Sequence, residues 1–291
     1  MDTLKEHIYQ NFHDASLVPC YAQIDDANDV LKELLPESNA EIQEALHSYD
    51  QHLGLEIICH SNSIEGSTLT SGETEDVLNG HFFSNKSTQE QLAARGLANG
   101  LEFMSRELTK KTPISEDFIK DLHERTTEDL HVRLRGVYRT VPVFIRGSKT
   151  VPPDAIKARA LMADLVYAYN ESALHPIWKA TALHVLFENI HPFRDGNGRT
   201  GRLLLNYMLE LHSYPPIVLK SDKEQSYLAA LEQWQAHANT APFVSLVNRT
   251  LEAQIQTRIG IIRESRETLS RLEADAAGEG TPKQPIQARN F

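Results

Sequence analysis

The stretch His191-Pro192-Phe193-Arg194-Asp195-Gly196-Asn197-Gly198-Arg199-Thr200-Gly201-Arg202 interrupts an otherwise helical chain and limits what can be built around it. Apolar residues recur at helical spacing over 176–190 and the pattern resumes from Arg199 to Leu211. The chain must therefore turn between two helices, and Gly196-Asn197-Gly198 can adopt the positive φ angles that such a turn needs. Successive backbone N–H groups exposed there form an anion-binding nest. The helix that starts straight afterwards adds its own free N–H groups and its positive dipole end to the same pocket.

Arg199 and Arg202 lie three apart, so both project from one face of the first helical turns and can grip phosphate oxygens. Just upstream, His191 is a potential base near neutral pH, and Asp195 is a hard oxygen ligand suited to Mg²⁺. Nest, guanidiniums, metal carboxylate and base together are the parts for moving a nucleotidyl or phosphoryl group. A plain glycine-rich turn with exposed charges would explain the glycines alone. It would not explain a histidine, an aspartate and two arginines at useful offsets within one such segment.

Around this segment the signals are helical. Residues 26–48 read as two short helices, and Leu53, Leu55, Ile57 and Ile58 lead to a helix stop at Glu65-Gly66. Thr70-Ser71-Gly72-Glu73 has capping-box spacing. Further helical patterns cover 88–109, Ser115 to about Leu130, and 154–170. Val141, Val143 and Ile145 alternate with a period of two, and Gly147-Ser148 supplies a turn, so 138–152 is predicted to be a β-hairpin. Leu251, Ile255, Ile259 and Ile262 form a helical stripe expected to pack on the core, with a dimer face as the alternative. The predicted fold is all-α with one small hairpin. Its expected divisions are an N-terminal extension (1–50), a core (51–250), a C-terminal helix (251–275) and a disordered tail (276–291).

The motif segment resembles the Fic motif, HxFx(D/E)GNGRxxR, at every fixed position. The flanks are similar too: HPIWKATALHVLFENI before it, RLLLNYMLELHSYPPIVL after it, and GVYRTVPVFIRGSKTVPP where Fic proteins carry a flap hairpin. The resemblance spans roughly Leu53 to Val247 and implies a helical Fic fold that moves AMP from ATP, with Mg²⁺, to a Ser, Thr or Tyr hydroxyl of a target protein. It implies His191 as general base and Asp195 as Mg²⁺ ligand. Gly196, Asn197 and Gly198 would cradle the α- and β-phosphates, with the Asn197 side chain helping. Arg199 would stabilise the charged phosphates and Arg202 would bind the γ-phosphate. Phe193 reads as a core anchor. Asn206 and Tyr227 are candidates for contact with the base, and Val141, Val143 and Ile145 for pairing with an extended target segment.

Ser61-Asn62-Ser63-Ile64-Glu65-Gly66 carries a second resemblance, to the (S/T)xxxE(G/N) inhibitory motif that some Fic proteins place N-terminal to the core. Ser61 and Glu65 share a helix face at spacing four. By this resemblance Glu65 pairs with Arg202 and takes the place of the γ-phosphate, so the helix over 51–66 would be inhibitory.

Other functions remain in view. A related enzyme could run the reverse reaction, removing AMP, whereas a kinase-like relative would depart from the intact GNGR. A metal-dependent hydrolase would have to use His184, His191 and Asp195, but no HExxH motif is present. A non-catalytic module would be expected to lack the base, the carboxylate or the arginines. The formal charge of −11, without a dense Lys/Arg cluster, argues against nucleic acid as partner. No apolar run is long enough to span a membrane. With only two cysteines and a polar start, the expected compartment is the cytoplasm. A homodimer is left open.

Overall fold

The computed structural model describes residues 3–145, 150–220 and 224–278. In chain order the helices are α1 (Thr3–His13), α2 (Ala22–Leu34), α3 (Ala40–Ile64), α4 (Ser71–Leu78), α5 (Thr88–Lys110), α6 (Glu116–Thr126), α7 (Ala155–Glu171), α8 (Pro176–Ile190), α9 (Asn197–Leu211), α10 (Glu224–His237) and α11 (Ala241–Gly278).

Local sequence sets most of the boundaries. Thr70 and Ser87 each open a helix with a full capping box, the hydroxyl meeting the N3 amide while Glu73 or Glu90 reaches back. Ser115 and Asp154 cap α6 and α7 with one side chain each. The end of α3 is a Schellman turn, in which Ser67 N–H donates to Asn62 C=O and Gly66 N–H to Ser63 C=O, with Gly66 at φ +94°. That turn fixes Glu65 as the cap that follows Ile64, the last residue of the helix.

The two short helices expected over 26–48 are instead α2 and the first turns of α3, which runs unbroken for 25 residues. Between them Ser38 Oγ–H donates to Leu34 C=O at the end of α2, and Asn39 Oδ1 accepts from Ile42 N–H at the start of α3. The boundary expected at residue 50 thus falls inside α3. Helix α1 is not an appendage. Ile8 and Phe12 are fully buried, Trp178 Nε1–H donates to Asn11 C=O (2.7 Å), and Ser172 Oγ–H donates to Phe12 C=O (2.6 Å). At the other end the stripe from Leu251 to Ile262 is buried in α11, one helix of 38 residues packed on α2, α3, α8 and α10. The expected tail lies mostly outside the described residues.

The centre belongs to α8 and α9, which pack on each other. From Ile177 to Ile190 every residue of α8 except Lys179 is buried, and so is α9 from Asn197 to Leu209 except Gly198. A helix buried all round is a core helix, and two of them hold the turn between them in a fixed frame.

The predicted hairpin does not appear among the described residues. Its turn, 146–149, lies outside them, and 141–145 and 150–153 form no ladder. The sole bridge among the described residues joins Tyr138 to Phe193 of the motif segment. The physical reason is exposure. Val141, Phe144 and Val151 are 42%, 87% and 76% exposed, and a two-stranded ribbon with no covered face has little to hold it.

Candidate active site

His191 is the first residue past α8, in the left-handed region at φ 50°, where its N–H still closes on Phe187 C=O (2.9 Å). A non-glycine residue there is strained and needs outside support. Arg139 supplies it. Its guanidinium donates to the carbonyls of His191 (2.8 Å), Ile190, Val141 and Pro153, and its own N–H donates to Pro192 C=O. Arg139 is buried, and these bonds join the His191 turn to both limbs of the 138–153 segment.

The imidazole is set by its neighbours. Nδ1 lies 3.3 Å from Glu188 C=O, so Nδ1 carries the hydrogen and Nε2 keeps its lone pair. Burial holds His191 below the usual histidine value, so the ring is neutral near pH 7. That is the state a general base requires.

The turn is built from side chains spent on backbone. Asn197 Oδ1 accepts from Phe193 N–H (2.9 Å) and its Nδ2–H donates to Phe193 C=O (3.0 Å). Phe193 is fully buried and stacks on His123 at 3.7 Å. His123 Nδ1 accepts from Gly136 N–H (2.8 Å), leaving Nε2–H to donate to Asp195 C=O (2.9 Å). Burial lowers its pKa to about 4, so this neutral tautomer persists. Gly196 sits at φ 76° with Thr127 so close that a β-carbon would clash, and the other two nest residues are already helical. Asp195 is exposed, one carboxylate oxygen accepting from Gly196 N–H (2.6 Å).

The two arginines diverge. Arg199 is held bidentately by Asp129 (2.6 and 3.1 Å), with both side chains buried. Arg202 reaches the last turn of α3. Its Nε–H donates to Ser61 Oγ (2.9 Å), and its Nη2–H to Ser61 C=O (2.9 Å) and Glu65 Oε1 (2.6 Å). The same carboxylate lies against Gly198, where a β-carbon would clash with Oε1. Glu65 thus faces away from the negative end of its own helix and into the positive end of α9. Burial disfavours the Glu65 anion, but the Arg202 charge outweighs it and holds the pKa below the ordinary value.

Several residues singled out in the sequence have partners within the protein. The Asn197 side chain, assigned above to help cradle phosphate, spends one N–H and one lone pair on Phe193. Arg199 directs one N–H of each terminal nitrogen to Asp129, which fixes the plane of its guanidinium. Asn206, a candidate for contact with the base, is buried and clips Ile217, accepting its N–H and donating to its C=O (both 2.9 Å). Tyr227 is buried under the Arg202 guanidinium (5.9 Å), its hydroxyl donating to His184 Nε2 (3.0 Å). His184 Nδ1–H donates to Gly201 C=O (2.8 Å), so neither ring nitrogen is left for a metal. No cluster of three metal-type ligands occurs among the described residues.

A family model described as Fic/DOC matches residues 113–209. The chain is 33% identical over 239 residues to a protein adenylyltransferase Fic of Nematostella vectensis, covering 80% of this chain and 54% of that protein. It is 33% identical over 214 residues to protein adenylyltransferase fic-1 of Caenorhabditis briggsae, covering 72% and 42%. Among solved structures, a Fic-domain signaling protein of Bacteroides thetaiotaomicron superposes with a TM-score of 0.75 at 28% identity, covering 83% of this chain and 97% of that one. Fic-1 of C. elegans (residues 134–508) gives 0.70 at 27%, covering 84% and 74%. The fold and the His191–Arg202 turn define a Fic domain, and the chain belongs to the Fic/DOC family. It spans about half the length of the curated relatives it matches.

Proposed function

We propose that this chain is a protein adenylyltransferase whose own Glu65 restrains it. The observation that carries this reading is the neutral His191, its Nε2 lone pair free, beside the N-terminus of α9. In the reaction the hydroxyl oxygen of a target protein attacks the α-phosphorus of ATP while His191 Nε2 takes the hydroxyl proton. The bond from that phosphorus to the bridging oxygen breaks, and pyrophosphate leaves. The first-turn N–H groups of α9, which have no intrahelical acceptor, receive phosphate oxygens. Asp195, a lone exposed carboxylate, fits Mg²⁺, which commonly binds through one or two carboxylates plus substrate phosphates. Held there, Mg²⁺ would neutralise phosphate charge. The exposed segment 141–145 would receive the target chain.

The names of the relatives agree with this activity. Glu65 supports the restraint, because its carboxylate lies where a third phosphate would meet Arg202 and Gly198. Solvent screens the pair, as the Glu65 side chain is 44% exposed. An advantage of only about 2.7 kcal/mol holds a population at one hundred to one. Glu65→Gly should therefore raise incorporation of label from α-labelled ATP by on the order of a hundredfold. Adding His191→Ala should abolish it. Equal labelling by wild type and Glu65→Gly would refute the restraint. No labelling by either, under donors other than ATP as well, would refute AMP transfer.

A further inference from the structure

Glu188 stands one helical turn before His191, in the last turn of α8, and only 7% of it is exposed. Its position is unfavourable on every count. The end of a helix repels a carboxylate, and the interior offers this one no hydrogen bond at Oε1. The neighbouring helix makes room for it. A β-carbon at Gly201 would clash with Oε1, although glycine inside a helix is less favourable than alanine. A buried carboxyl without a partner and a helical glycine that houses it both lower stability. Residues kept at such expense are explained by chemistry better than by packing.

The chemistry at hand is that of His191. Glu188 Oε2 lies 3.9 Å from His191 Nδ1, too far for a hydrogen bond and close enough for charge to act. We propose that Glu188 is a positioning residue for His191, its carboxylate stabilising the imidazolium that forms when the ring accepts a proton. The assignment rests on the AMP-transfer reading. Glu188 exchanges no bond in the step: the hydroxyl proton moves to His191 Nε2, and the carboxylate contributes charge alone. Its protonation state is set by the groups that face it, namely Arg202 from α9, Glu65 from the end of α3, Tyr227 from α10 and His191 itself. Burial raises its pKa to about 8, with Glu65 adding to the rise and Arg202 opposing it. The carboxyl is therefore neutral at pH 7 while Glu65 sits on Arg202, and ionises in the mildly alkaline range.

The test compares Glu65→Gly with Glu65→Gly/Glu188→Gln, a replacement of equal size. The expected result is a fall of roughly tenfold in kcat for the Gln variant, with KM for ATP unchanged and the melting temperature equal or higher. In addition, kcat of the Glu65→Gly protein should show a second rise with pH, displaced below pH 8 because the Glu65 charge that helps to raise the Glu188 pKa is gone, and this rise should vanish with Glu188→Gln. An unaltered pH profile and kcat overturns the proposal. So does a loss of kcat accompanied by an equal loss of stability, since that marks a packing role. If Glu65→Gly is itself inactive, AMP transfer is the reading that fails, and a readout without turnover decides about Glu188. The imidazole nitrogen resonances of His191, followed by NMR in wild type and Glu188→Gln, should show an inflection near pH 8 only in wild type. Identical titration curves overturn the proposal.

Discussion

Both ends of the Asn197 amide close on the backbone of Phe193, and the N-terminal end of α9 hangs on that clip. Asn197→Ala leaves a buried N–H and C=O unpaired, which should cost about 3 kcal/mol and lower Tm by roughly 5 °C in calorimetry. His123 gives a pH-dependent counterpart. Its folded pKa is depressed to about 4 against 6.5, so between those values the unfolded chain binds more protons. Stability from this group is whole above pH 6.5 and lost as pH falls toward 4, on the order of 3 kcal/mol in all. His123→Gln should show a shallower acid loss in denaturant titrations from pH 7 to 4. At this scale the sequence reveals which residues gather, because His191, Asp195 and Arg202 follow one another in a short segment. It does not reveal which of them are free. Asp129 lies 70 residues from Arg199 and His123 lies 72 from Asp195, and no local pattern announces pairing over such a distance. Glu188 alone carried a local signal, one turn before the histidine.

Among the elements, caps and periodicity were legible and exposure was not. The capping box at Thr70 and the stop at Gly66 stand where the sequence puts them. The 138–152 hairpin was inferred from alternation, yet alternation measures which residues could share a covered face, and here Val143 and Ile145 are only half-buried while Val141 and Val151 stand exposed. What fastens this segment is Arg139, whose guanidinium spans from Pro153 to His191. Arg139→Met keeps the length and removes the bonds. It should lower kcat of Glu65→Gly by about tenfold or more while leaving KM for ATP nearly unchanged, because the turn holding His191 is loosened and the nest is not. Steady-state kinetics with saturating Mg²⁺ checks the split. A rise in KM alone would place Arg139 in nucleotide binding instead.

For the molecule as a whole, the first fifty residues prove to be structure and not ornament. Helix α1 packs on α7 and α8, and α2 on α11. These contacts join positions more than 150 residues apart, such as Trp178 with Asn11 and Tyr214 with Asp25, which is why no window of sequence foretold them. Deleting residues 1–20 should expose Trp178, shift tryptophan emission to longer wavelength, and lower Tm by more than 10 °C, since two fully buried side chains are lost at several kcal/mol each. A truncated protein that melts with the full chain would show α1 to be dispensable. Among the described residues no helix is long and apolar enough to cross a membrane.

The carboxylate on Arg202 comes from the same polypeptide, at the far end of a helix about 37 Å long. Its encounter with the guanidinium is therefore first order. A carboxylate borne by a separate molecule would leave on dilution, whereas a tethered one keeps a fixed effective concentration. The fraction of molecules with Arg202 occupied by Glu65 is thus the same in a crowded solution and in a nanomolar one. On the proposed function, ATP would compete against a constant, and the nucleotide level or a movement of α3 would change the outcome.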